Sequence, residues 1–284
     1  MELHRYLSAY GIELCGVLPL CDCELRKPYL LEQAGFALDR IEHLRVLIFA
    51  IPYYSHAADD PTRNVSAYAT AEDYHVFVKE LFDDLLPRLR TDFKGYSFAG
   101  FADHSPIDEI LAAVDAGLGV RGKNGLLLTE RYSSYVFLAE MVTDLPLTLT
   151  PSPLPQGLRV CHGCDLCRRA CPMQPGELCR SALTQKKSPL TAQEEATLKA
   201  FPCVWGCDIC QEVCPYTARA RQRNTLYSPI PFFEQNTLPH LTCESLDQMS
   251  EADFARRAFA WRGRQTIRRN LLLKEQQNER QGKE

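Results

Sequence analysis

The sequence contains no apolar run approaching the roughly 18 residues that a membrane-spanning helix needs, so no membrane partner is expected. Its first residues, Met1-Glu2-Leu3-His4-Arg5-Tyr6, lack the long apolar core and small-residue cleavage site of an export signal. That points to the cytoplasm. Low-complexity segments are missing too. Nor is there a dominant charge: the net value of −4 argues against attraction of the whole molecule to nucleic acid. The charge is uneven, however. Residues 251–284 hold nine Lys and Arg against five Asp and Glu, which leaves the remainder near −8. A basic tail on an acidic body could meet an RNA backbone, with Arg256, Arg257, Arg268 and Arg269 as candidate phosphate contacts. A solvated amphipathic helix carries the same pattern.

What the chain has in excess is cysteine, with thirteen in 284 residues. Disulfides are a poor explanation in a reducing compartment, and nine of the thirteen crowd into the stretch from Cys161 to Cys214. Such crowding reads as metal ligation. The length suffices for two domains, and 45% hydrophobic with 24% charged residues is the composition of an ordinary globular chain.

Residues 1–150 alternate strand and helix patterns. Val46 to Ile51 is a short apolar run ended by Pro52, as in a buried strand. Tyr74 to Leu89 has helical spacing, with Val78, Leu81, Phe82, Leu85 and Leu86 on one face. Ser97 to Ala102 and Tyr135 to Val142 read as further strands. Between them Pro106 opens a helix over Ile107–Ala116 that Gly117 stops. Helices between strands predict an α/β domain. The stretch Thr150-Pro151-Ser152-Pro153-Leu154-Pro155 then breaks all periodicity and predicts a stiff linker. A cysteine-rich domain over 155–220 follows. A C-terminal segment, 221–284, ends in a basic helix from about Glu251 to Lys274.

The cysteines have a rhythm. Cys161-x2-Cys164-x2-Cys167-x3-Cys171-Pro172 is the bacterial ferredoxin run, in which the fourth cysteine ligates the other cluster. A shorter version follows as Cys207-x2-Cys210-x3-Cys214-Pro215. By the same crossing logic one 4Fe–4S cluster takes Cys161, Cys164, Cys167 and Cys214. A second takes Cys171, Cys207 and Cys210 and needs one more thiolate, for which Cys179 and Cys203 compete. Structural zinc is the competing explanation, but it does not call for the cysteine–proline rhythm twice over. Cys15, Cys21, Cys23 and Cys243 lie outside the motifs and read as incidental.

With these pieces in hand, the chain resembles the epoxyqueuosine reductase family, the cobalamin and iron–sulfur enzymes of queuosine-tRNA maturation. The matching segments are Tyr68-Ala69-x4-Asp73-Tyr74-His75, Asp103-x2-Pro106 and the run Gly117 to Leu128. Phe137-Leu138-Ala139-Glu140, the first cysteine motif and Gly206 to Pro215 come next, and Gly263-Arg264-x3-Ile267-x-Arg269-Asn270 comes last. Together they cover roughly residues 45–270.

The resemblance implies a mixed α+β or α/β fold, with an N-terminal reductase-like cobalamin-binding domain before a ferredoxin-like double-cluster domain. It implies reduction of an epoxide on a modified nucleoside to the alkene at the wobble position of tRNA, with base-off cobalamin between the two domains. Asp103 matches the family's proton donor, and burial beside an apolar corrin would favour its protonated form. Corrin contacts are implied around Tyr53 and Tyr54 and at Leu127 and Leu138, and Lys123 could meet a phosphate or cofactor amide. The extra cluster ligand of the family favours Cys179. The signature D-x-H-x-x-G is absent, because Asp73-x-His75 is followed by Val78; histidine ligation of cobalt is therefore not expected, and His75, His104 and His162 read as hydrogen-bonding residues. A low-potential donor such as flavodoxin or ferredoxin and a monomeric state complete the picture. The match ends near Asn270, short of the helical-repeat extension of many members. Two other functions fit the same cysteines: a reductase of a small molecule, or a non-catalytic ferredoxin-like electron carrier.

Overall fold

The structure is a computed structural model describing residues 3–149, 161, 163–174 and 176–281. The proline-rich linker expected at Thr150 to Pro155 lies outside the described residues, as does His162. The chain forms two compact units, each assembled from separated stretches. Met1–Pro52, His75–Asp165 and Pro215–Ile230 make the first; Tyr53–Tyr74, Leu166–Cys214 and Pro231–Glu284 make the second.

The first unit is built on a four-stranded sheet in the order β1 (Leu14–Pro19), β2 (Arg45–Pro52), β6 (Val136–Thr143), β3 (Phe98–Phe101). Strands β4 (Val120–Arg121) and β5 (Leu127–Leu128) pair as a separate ribbon. The apolar run of β2 is buried at every residue but its first, as expected for a strand covered on both faces. Helix α3 (Tyr74–Asp92) buries Val78, Leu81 and Leu85, the face its spacing predicts.

The α/β layout needs one correction. Strands β2 and β3 are linked through α3 as parallel strands would be, but β6 inserts between them, so every hydrogen-bonded pair runs antiparallel. The unit is therefore α+β, of the split β-α-β kind. Sequence spacing shows which elements follow one another, and strand partners are chosen by packing. Helix α4 (Glu109–Asp115) lies against β2 and β6 over a core that includes Leu31, Val46, Ile48, Ala113 and Val142. It starts later than expected: its N-cap is Asp108, whose carboxylate accepts from the Leu111 amide at 3.0 Å. Pro106 instead sits in a turn whose carbonyl accepts from the Arg26 and Lys27 amides. The short helices α1 (His4–Ser8), α2 (Tyr29–Gln33) and α9 (Pro215–Gln222) complete the unit.

The second unit is helical, with α5 (Leu166–Ala170), α6 (Arg180–Thr184), α7 (Ala192–Lys199), α8 (Ile209–Glu212), α10 (Cys243–Gln248), α11 (Glu251–Ala255) and α12 (Arg264–Gln281). The segments around 65 and 205 pair in extended form: the Ser66 amide donates to the Trp205 carbonyl at 2.8 Å, and the Val204 amide to the Asn64 carbonyl at 2.6 Å. Val65, Trp205, Leu246, Phe259 and Ile267 form the core beneath this pairing. The single basic helix expected from Glu251 to Lys274 is broken. Gly263 sits between α11 and α12 at φ 86°, a conformation that side-chain-bearing residues rarely adopt.

Candidate redox and proton-transfer site

Within the second unit the later part of the first cysteine run meets the second run. Helix α5 carries Cys167 and is followed by Cys171, helix α8 carries Cys210 between Cys207 and Cys214, and α5 packs on α8. All thirteen cysteines are free thiols. A network of buried polar contacts holds the second run. The Asp208 carboxylate, inside that run, accepts from Arg63 Nη1 at 2.6 Å, the Ala67 amide at 2.7 Å and Gln211 Nε2 at 3.2 Å. Burial raises the Asp208 carboxyl above its ordinary value while Arg63 opposes that shift. Gly206 precedes the run at φ 75°, and a Cβ there would lie 2.1 Å from Ser66 Oγ; only glycine fits. From the other side, Asn270 Nδ2 donates to the carbonyls of Thr184 at 2.7 Å and Val204 at 2.9 Å. Helix α12 thus fixes the chain just ahead of Cys207.

In the first unit, the Lys123 amide donates to Cys161 Sγ at 3.2 Å, and the Cys161 amide donates to the Arg121 carbonyl at 3.0 Å. An N–H···S contact of this kind stabilises a thiolate and tunes a cluster bound to it. Among the described residues no three His, Cys, Asp or Glu side chains gather around a single ion; the cysteines of a cubane each bind a separate iron. The two candidates for the eighth ligand differ. Cys179 is exposed at the start of α6. The Cys203 thiol is directed at the Trp205 carbonyl at 3.0 Å, and burial, with Asp208 nearby, pushes it up to about 12.

Asp103 lies just beyond β3 with φ 59°, in the left-handed region that costs a non-glycine residue about 1 kcal/mol. It is not a helix cap, since Asp108 has that role. Its side chain is 76% exposed, and Oδ2 lies 3.9 Å from His75 Nε2. Its backbone amide donates to Glu109 Oε1 at 3.2 Å. Below Glu109 is a residue whose role the sequence did not reveal. Glu140 occupies the middle of β6, fully buried, opposite Ile48 and Phe101. One carboxyl oxygen of Glu140 accepts a short hydrogen bond from Ser105 Oγ, and the other has no protein partner of ordinary geometry. Burial pushes the Glu140 carboxyl well above the usual range, with Glu109 adding to the rise, and burial lifts Glu109 to about 7. A fully buried and a half-buried carboxyl with one hydroxyl donor are stable when at least one holds a proton. The signal available in the sequence was a lone acid within the otherwise apolar run Val136–Val142.

The residues offered to a corrin fit unequally. Leu138 is half-buried on β6 and the Asp103 side chain is exposed just beyond β3; an apolar side chain and an acid of this kind suit the edge of an apolar macrocycle. Leu127 is packed into the core of its own unit. Tyr53 and Tyr54 are buried, with Tyr54 donating to Asp59 Oδ1 at 2.6 Å. Lys123 Nζ is held by Asp165 at 2.8 Å rather than left for a phosphate. His104 hydrogen bonds to Lys27 Nζ at 3.0 Å and approaches the Tyr29 hydroxyl at 3.4 Å, as a structural histidine would.

The four arginines expected to meet RNA are engaged within the second unit. Arg256 pairs with Glu72, Arg257 donates to the Asn236 carbonyl, Arg268 pairs with Asp247, and Arg269 donates to the Lys186 carbonyl. Sequence alone shows their charge and not their partners.

Paired cysteine runs of this spacing, in a chain that also carries an α+β unit with an exposed aspartate, define an iron–sulfur redox protein. No model of a known protein family matches the chain. Comparison with individual proteins is more informative. Epoxyqueuosine reductase of Bacillus subtilis is 30% identical over 306 residues, covering 96% of this chain and 77% of that protein. The enzyme of the same name from Cyclobacterium marinum is 37% identical over 123 residues, a match taking in 42% of this chain and only 39% of that relative's length. A crystal structure of epoxyqueuosine reductase with an epoxyqueuosine-modified tRNA-Tyr stem loop superposes with a TM-score of 0.71 at 25% identity, covering 96% of this chain and 80% of that one. The chain belongs to the epoxyqueuosine reductase family.

Proposed function

We propose that this protein reduces epoxyqueuosine to queuosine at the wobble position of tRNA. The conversion of epoxide to alkene consumes two electrons and two protons and releases water. The observation that carries this reading is the packing of α5 on α8, which sets two ferredoxin-type cysteine runs together. One 4Fe–4S cluster takes Cys161, Cys164, Cys167 and Cys214; the second takes Cys171, Cys179, Cys207 and Cys210. The hydrogen-bonded Cys203 thiol supports Cys179 as the eighth ligand. Cobalamin in its base-off form would supply a strongly reducing metal centre beside Leu138 and Asp103.

The protein's own part is proton delivery and positioning. An alkoxide is a poor leaving group, and a proton from Asp103 Oδ to the oxygen of the opening epoxide converts it to a hydroxyl. Glu109, by accepting from the Asp103 amide, holds that residue in its strained backbone conformation. Electrons would come from a flavodoxin- or ferredoxin-like donor to a monomeric protein. No helix among the described residues is long and apolar enough to cross a membrane.

The test is an anaerobic assay with cobalamin, a strong reductant and an epoxyqueuosine-bearing anticodon stem-loop. Wild type makes queuosine. Asp103→Asn loses activity by at least a hundredfold, the usual scale for a general acid, with its iron content unchanged. Full activity in the variant would remove Asp103 as proton donor, and an inactive, iron-poor wild type would remove the reading.

A further inference from the structure

Most C-terminal arginines are occupied inside the second unit, but a group of cations around the turn at Gly263 is only partly so. Lys187, Arg262, Arg264 and Arg269 line an open groove of about 590 Å³ around the turn at Gly263. Arg264 and Arg269 donate to backbone carbonyls, and Glu251 pairs with Arg264. The other two are different. Lys187 is exposed and has no ion pair among the described residues. Arg262 Nε is shielded from solvent without an acceptor, and the guanidinium lies over the Trp261 ring, 3.7 Å from its centroid. Trp261 is itself 57% exposed, more than any other large hydrophobic side chain among the described residues.

We propose that this surface binds single-stranded RNA, seating a backbone phosphate in the groove between Lys187 and Arg262 and stacking the adjacent unpaired base outside the groove, on Trp261 against the ring face that Arg262 does not cover. The proposal rests on tRNA being the substrate and adds a docking subsite for it. An arginine with unused donors suits a phosphate, because its planar fork meets two oxygens at once. An exposed indole suits an unpaired base, since every base has a face to stack. Duplex RNA offers no such face. An acidic peptide offers carboxylates but nothing to cover the indole.

The chain has only two tryptophans, and Trp205 is fully buried, so a change in indole emission on RNA binding reports on Trp261. Cluster-loaded protein is titrated with an anticodon stem-loop, with the same strand annealed to its complement, and with a glutamate-rich peptide. The stem-loop quenches the emission, whereas the duplex and the peptide do not. Base stacking is worth about 1–3 kcal/mol, so Trp261→Ala weakens stem-loop binding by roughly five- to a hundredfold at unchanged iron content. Lys187→Gln and Arg262→Gln combined lower the slope of log affinity against log salt by about 0.7, the share of one phosphate.

If wild type binds the stem-loop but these variants match it in affinity and salt slope, the groove is not the subsite, and the functional reading survives. Equal quenching by duplex or peptide also overturns the subsite, by making the groove a general anion trap. Absence of any stem-loop binding by wild type overturns the subsite together with the tRNA reading.

Discussion

Exchanging Glu109 for glutamine measures the cost of ionising the carboxyl pair that it forms with Glu140. In the folded chain the Glu109 carboxyl titrates near 7 against an ordinary value of 4.5, so the native state binds this proton more tightly than the unfolded chain does. The associated stability is complete below about pH 4.5 and is lost as the pH rises toward 7. At about 1.4 kcal/mol for each unit of pKa, the loss is on the order of 3 kcal/mol. Glutamine cannot ionise and suffers no such loss. Urea unfolding of both proteins between pH 5 and 8 gives the difference in stability at each pH, and carboxylates that do not interact with Glu109 cancel in that difference. The gap shifts in favour of Glu109→Gln by a few kcal/mol across the range. A gap that stays constant with pH would mean that Glu109 is ionised throughout, and burial would not be raising its carboxyl in the folded chain.

Arg63→Ala strands the buried Asp208 carboxylate and destabilises the protein by roughly 3–5 kcal/mol. Adding Asp208→Ala recovers part of the loss, and a single variant within 1 kcal/mol of wild type in urea unfolding would show the pair to be unimportant. Cys179→Ser lowers the iron content of anaerobically reconstituted protein, whereas Cys203→Ser retains all of it; the reverse result would exchange the two assignments.

Much of the fold was legible because its signals are local. The apolar run at β2, the helical face of α3 and the stop at Gly117 each depend on residues a few positions apart. The cysteine runs were legible for the same reason, since each is a short fixed spacing. What stayed hidden was long-range. Strand β6 slots between β2 and β3 through pairing across about 90 residues, as with Ile48 and Glu140. The start of α4 was misplaced because Pro106 resembles a helix opener while Asp108 supplies the cap. The basic tail looked free because the acids and carbonyls that hold Arg256, Arg257, Arg268 and Arg269 lie between 21 and 184 residues away. Glu140 passed as part of a motif, since nothing local reveals that its carboxyl has no route to water.

The threading of the chain between its two units also bears on biogenesis. Residues 64–66 find their extended partner only at 204–206, and the Asp73 amide donates to the Arg256 carbonyl. The early segment Tyr53–Tyr74 therefore leaves the ribosome long before the chain it packs against. Proteins whose domains are contiguous can fold each one as it emerges; here the helical unit draws on stretches far apart in sequence. The segment Tyr53–Tyr74 cannot find its partners until residues 204–256 have been made.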